Sequence, residues 1–164
     1  MGALTWLRRL LAAVACVFSV ASMAQSVAPA TAAQVARSDF FLHCAGCHRF
    51  DGRGSPRHGI PDFRGSVGWF THLPQGREYL VRVPGSSQSQ LSDAELAVVL
   101  NWMLREFSAA QLPKDFQPYT AQEITGLRTP PYRDIVPVRQ ALERALTADG
   151  RVLAEYTFGA DRKP

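Results

Sequence analysis

Apolar positions recur at helical spacing in several separate stretches, with polar segments rich in glycine and proline between them. Ser92-Asp93-Ala94-Glu95 has the form of a capping box, in which the first hydroxyl and the last carboxylate each meet a free backbone N–H. Behind it, Leu96, Val99, Leu100, Met103, Leu104 and Phe107 repeat with the 3.6-residue period of one helix face. No Gly or Pro interrupts 91–112 and Pro113 follows, so this is the clearest helix the sequence predicts. Thr31 and Gln34 form a second box ahead of 33–44, where Val35, Phe40, Phe41 and Cys44 give a partly apolar face. A short helix is predicted over 76–83, with Tyr79, Leu80 and Val83 on one side. Thr120-Ala121-Gln122-Glu123 opens another, to about Leu127, and Pro130-Pro131 then breaks the chain. Residues 134–148 carry Val138, Leu142, Ala145 and Leu146 before Gly150 stops them. The pattern is that of an all-α protein without internal repeats.

Two segments fall outside it. Residues 49–90 are dominated by loop, with Gly52, Gly54, Pro56, Gly59, Pro61, Gly65, Gly68, Pro74, Gly76, Pro84 and Gly85. A compact domain tolerates so long an irregular stretch when something else fills its interior, which points to a cofactor. At the N-terminus, Arg8-Arg9 precede an apolar run of 11 residues, Leu10 to Val20, and then Ser22-Met23-Ala24. That order is a secretory signal peptide cleaved after Ala24, and the run is shorter than the ~18–20 residues of a spanning helix. A retained anchor, a lipoprotein box at Cys16 and twin-arginine export are weaker readings of the same residues. Residues 1–24 are therefore read as the signal and 25–32 as a flexible leader, with the mature protein in the periplasm and not stably inserted in the membrane.

Export changes how composition and charge are read. The 164 residues are 46% hydrophobic and 20% charged, enough for a folded core. The formal charge of +4 includes Arg8 and Arg9; without them 16 basic side chains face 14 acidic ones, a balance of +2. With no basic run interleaved with aromatics, nucleic acid is not an expected partner. Of three cysteines, Cys16 leaves with the signal, so Cys44 and Cys47 remain.

Those two lie in Cys44-Ala45-Gly46-Cys47-His48. Thiols two residues apart on a helical turn can each add to one vinyl group of a haem, and the adjacent imidazole then falls beneath the ring as an iron ligand. The alternatives explain less. A redox dithiol lacks a strand–turn–helix context before it. A zinc site needs four ligands, and His43, His58 and His72 lie at no zinc spacing. A structural disulfide leaves His48 unexplained.

Over about 33–108 the chain resembles the class I cytochrome c family. The resemblance rests on Cys44–His48 at the end of a first helix and on Asp51-Gly52-Arg53-Gly54 just downstream. Ile60-Pro61-Asp62-Phe63 and Leu91-Ser92-Asp93-Ala94-Glu95-Leu96 with Asn101-Trp102 complete it. It implies a small haem domain over 33–112, three to four helices wrapped by loops, with a C-terminal helical extension over 113–164. It also implies that the Pro61 carbonyl orients His48 and that Trp102 packs where the first and last helices cross. One departure matters: where the family has a Met-Pro pair supplying the sixth iron ligand, this chain has Val83-Pro84. Met103 lies in the apolar stripe of a helix and reads as core. His72, beside Trp69, Phe70 and Leu73, is the favoured distal ligand, with His58 and a vacant position as alternatives. Of Arg53, Arg57, Arg64, Arg77 and Arg82 most read as solvated side chains; Arg82 and Arg77 are the favoured candidates for pairing with the haem propionates.

The expected function is one-electron transfer by a single covalent haem c, serving a periplasmic dehydrogenase or a respiratory oxidase, and not catalysis. The rival is a five-coordinate haem that binds a gas or acts on peroxide. The extension is either a wrap stabilising the haem domain or a docking surface built on Tyr119, Tyr132 and Phe158.

Overall fold

The computed structural model describes residues 30–156. The signal segment, most of the leader and Phe158 lie outside them. Among the described residues are seven α-helices: α1 (Ala32–His43), α2 (Ala45–His48), α3 (Pro74–Arg82), α4 (Pro84–Ser87), α5 (Asp93–Ser108), α6 (Ala121–Leu127) and α7 (Val136–Ala148). Three 3₁₀ turns, Pro56–His58, Val67–His72 and Ala109–Gln111, join them. The fold is all-α.

Both expected capping boxes at Thr31 and Ser92 form in full. At Thr120 only half forms, the hydroxyl accepting from the Glu123 N–H. The core is built where α1 crosses α5. Phe40 is fully buried there, its ring centroid 5.3 Å from both Trp102 and Phe107 of α5. Val99, Leu100, Met103 and Leu104 carry that core along the apolar stripe of α5. Tyr119, Ile124, Leu142 and Leu146, from beyond Pro113, belong to the same buried cluster.

The long helix predicted to 112 stops as an α-helix at Ser108 and continues only as a 3₁₀ turn. The loop opposite explains the early end. Gly65 N–H donates to the Phe107 carbonyl at 2.8 Å, and Gly68 N–H donates to the buried Ser108 Oγ at 2.9 Å. A Cβ on Gly68 would stand 2.6 Å from the Ser108 carbonyl oxygen, so the two backbones meet directly. The loop thus supplies the termination that sequence periodicity does not show.

Short-range bonds add to these within the segment 49–90. Ser55 and Ile60 form an isolated antiparallel bridge, with Ser55 N–H to Ile60 O at 2.9 Å and Ile60 N–H to Ser55 O at 3.1 Å. Gly54, with φ at 58°, lies against it, and a Cβ there would stand 2.3 Å from the Pro61 carbonyl oxygen.

Candidate haem site

Residues from both ends of the described chain surround a cavity of about 350 Å³, of a size that takes a cofactor. Cys44, Cys47 and His48 line it on one side, with Pro61, Asp62 and Phe63 beyond them. Tyr79, Leu80, Val83, Ser86 and Ser89 contribute from α3 to the loop after α4; Leu96, Val99, Leu100 and Met103 come from α5. Ile135, Arg139 and Tyr156 complete the wall from the extension.

The attachment turn is shaped by its own backbone. His48 N–H donates to the Cys44 carbonyl at 2.9 Å, and Arg49 N–H donates to Ala45 at 2.8 Å, closing α2. The chain then reverses at Arg49, and Gly54 N–H returns to the His48 carbonyl at 3.0 Å. Both thiols are free. Burial, aided by the Asp39 and Cys47 charges, pushes Cys44 up to about 11. A protonated thiol of that kind is a poor redox dithiol, which works as a thiolate of lowered pKa.

His48 is stacked on Phe63 with ring centroids 4.0 Å apart and 18° between planes. Burial lowers its pKa to about 4, the Pro61 carbonyl acting in the opposite direction, so the imidazole is neutral at pH 7. Its Nδ1 is nevertheless buried without a hydrogen bond of ordinary geometry. A neutral imidazole in a mostly apolar cavity, beside two thiols, has the donor chemistry of a haem iron ligand. Among the described residues no group of three or more His, Cys, Asp or Glu side chains stands ready to hold a metal ion by itself, so the zinc alternative finds no ligand set.

The other expected site residues separate. Val83 lines the cavity, as the family's ligand position requires, and Met103 lines it from α5. His72 is not brought to it. The Val67–His72 turn buries Val67 and Phe70 in the cavity wall and directs His72 the other way, where Nε2 lies 2.9 Å from the Gln111 carbonyl oxygen. Its ring sits 5.3 Å from Trp69. His58 is likewise not among the cavity's lining residues, its Nδ1 being 2.6 Å from Ser55 Oγ.

The favoured arginines are also committed elsewhere. Arg77 donates to both Glu123 carboxylate oxygens, at 2.9 and 2.7 Å, and to the Gln117 carbonyl. Arg82 pairs with Glu78 and donates to the Pro130 carbonyl. Arg53 pairs with Asp51, and Arg64 with Asp62. Arg139, which no sequence pattern singles out, is the arginine in the cavity wall.

An all-α fold wrapped on a cavity that a Cys-x-x-Cys-His turn opens into defines the c-type haem proteins as a class. No family model matches the chain. A cytochrome c-552 of Thermus thermophilus is 34% identical over 114 residues, covering 58% of this chain and 76% of the relative. Another cytochrome c-552 of the same species is 35% identical over 106 residues, covering 54% and 80%. The chain belongs to the c-type cytochrome family. Covalently bound haem c comes with that membership, and electron carriage is the family's work.

Proposed function

We propose that the protein is a periplasmic mono-haem cytochrome that carries one electron at a time. In this reading Cys44 and Cys47 would hold the haem through two thioethers, each formed by addition of S–H across a vinyl group, and His48 would bind its iron. Pro61 fixes the face that His48 presents, and the Phe63 ring locks it against rotation. The haem supplies the one-electron iron couple; the chain keeps it dry with Leu80, Val99, Leu100 and Met103. The observation that carries the reading is the buried His48 imidazole set beside two free thiols on one cavity wall.

Export rests on the signal pattern of 1–24, and no helix among the described residues is long and apolar enough to cross a membrane. A redox partner, a periplasmic dehydrogenase or respiratory oxidase, would meet the attachment edge. Leu42 and Phe50 flank that turn at 78% and 70% exposed and would supply apolar contact there.

Expression in a host competent for c-type maturation tests the reading. The purified chain should carry one haem that survives denaturation, and Cys44→Ala with Cys47→Ala should abolish that retention. Colourless wild-type protein would overturn it. A second reading, an iron open on its distal side to a gas, is favoured by Val83 at the ligand position and by the direction His72 takes. Carbon monoxide added to the reduced protein separates the two: a prompt spectral change supports the open site, and an indifferent low-spin spectrum removes it. In either case His72→Ala should leave the spectrum as it is.

A further inference from the structure

Arg139 is only 4% exposed, and it stands in the cavity wall. A buried guanidinium costs several kcal/mol unless its charge and donors are met. Glu143, one turn further along α7, accepts from Nε at 2.7 Å and balances the charge. The ring of Tyr156 lies 4.1 Å from the guanidinium carbon and that of Phe70 5.2 Å, both in cation–π range. Tyr79, stacked on Phe70 at 5.6 Å, brings its hydroxyl to the same guanidinium. The group is therefore held from four elements: α7 itself, the C-terminal segment through Tyr156, α3 through Tyr79, and the Val67–His72 turn through Phe70. Tyr156 is fastened in turn by its hydroxyl, which donates to the Gly59 carbonyl at 2.9 Å.

A helix-stabilising ion pair four residues apart does not call for this placement, because such pairs work on the exposed face of a helix. Beyond Nε, the guanidinium has four further N–H donors. Tyr79, Phe70 and Tyr156 line the cavity along with it, so the guanidinium belongs to the ligand's surroundings. A haem carries two carboxylates as its only ionised side groups, and an arginine fork matches a carboxylate in shape and charge. Asp62 also faces the cavity but is neutralised by Arg64.

We propose that Arg139, supplied by the extension and held by Glu143, Tyr156 and Tyr79, is the haem-propionate partner of this cytochrome. The assignment rests on the reading that the cavity holds haem c. It gives the extension a direct hand in the cofactor's electrostatics, because a cation near the iron favours the reduced, less positive state.

Midpoint potentials of the purified holoprotein test it. Arg139→Gln should lower the potential, the equilibrium constant for reduction falling several-fold and up to about tenfold, or about 59 mV for one electron. Arg139→Lys should retain most of the wild-type value, and Glu143→Gln, which unbalances the cation, should raise it. A purely structural pair would alter stability without giving shifts of opposite sign from its two members. Wild-type potential in Arg139→Gln with haem intact overturns the assignment and leaves the haem reading standing; wild-type protein without covalent haem overturns the reading itself. If Arg139→Gln yields no holoprotein, Glu143→Gln decides: a potential that stays or falls overturns the assignment.

Discussion

At the scale of single residues, the attachment turn is closed by a strained backbone. Arg49 has φ 62° and ψ 163°, a region almost confined to glycine, and holding another residue there costs of order 1–3 kcal/mol. The strain sits directly after His48, where the chain must reverse to bring Gly54 back to the His48 carbonyl. Arg49→Gly should therefore stabilise the holoprotein by about 1 kcal/mol, since strain relief exceeds the added flexibility of the unfolded chain. Denaturant unfolding reads this, and a loss of stability would show that the Arg49 side chain contributes more than its backbone costs. The grouping of Cys44, Cys47 and His48 at one wall was legible in the sequence because their relation is local, one turn of helix. His72 was not, because its direction is set by a carbonyl at Gln111, 39 positions away. Arg139 escaped for a similar reason: its surroundings come from Phe70, Tyr79 and Tyr156, which only the fold assembles.

Between elements, α6 and the irregular segment before it are fastened to the haem-side helices by side chains bonding to backbone. Asn101 of α5 brackets Tyr119, accepting from its N–H at 2.8 Å and donating to its carbonyl at 2.9 Å. The buried Tyr119 hydroxyl donates onward to the Arg77 carbonyl at 3.0 Å. Asn101→Ala removes both partners of a backbone unit beside the core and should cost about 1–3 kcal/mol in unfolding free energy. Arg128, closing α6, donates to the carbonyls of Ser87, Ser89 and Leu91 and pairs with Asp93. That single guanidinium pins the loop that carries Ser89 and Leu91 into the cavity wall. Asp93 is held below its usual 3.8, first by the Thr125 hydroxyl and then by Arg128. Its folded form resists protonation more than the unfolded chain does, so its stabilisation is full at neutral pH and fades as the pH drops below about 3.8. Asp93→Asn should flatten that acid limb in an unfolding titration. The helices themselves were readable from period and caps, whereas these fastenings were not, since each joins residues 18 or more positions apart.

For the whole molecule, the decisive question is whether the chain beyond Pro113 is an appendage or part of the fold. From Thr31 onward the described residues form one compact unit, and Ile124 and Leu146 are as deeply buried as Phe40 and Leu104. Ile135, Arg139 and Tyr156 close the cavity, and Ala154 N–H donates to the buried Ser66 Oγ at 2.9 Å. A separable docking module would have a core of its own and leave the haem cavity complete without it. Here removal would strip Tyr79 of Tyr132 and Arg139 and take Tyr119, Ile124, Leu142 and Leu146 out of the buried cluster, and burial of side chains of that size is worth about 1.5–3 kcal/mol each. A chain ending at Leu112 should therefore lose most of the few kcal/mol that keep a domain of this size folded. It should accumulate poorly as holoprotein, melt well below the full chain and show a lower potential where haem is retained, because water would reach the iron's surroundings. Equal melting temperature and potential in the truncated and full-length proteins would instead mark the extension as a surface for partners alone. The apolar continuity from Phe40 through Leu104 to Ile124 and Leu146 argues for the first outcome.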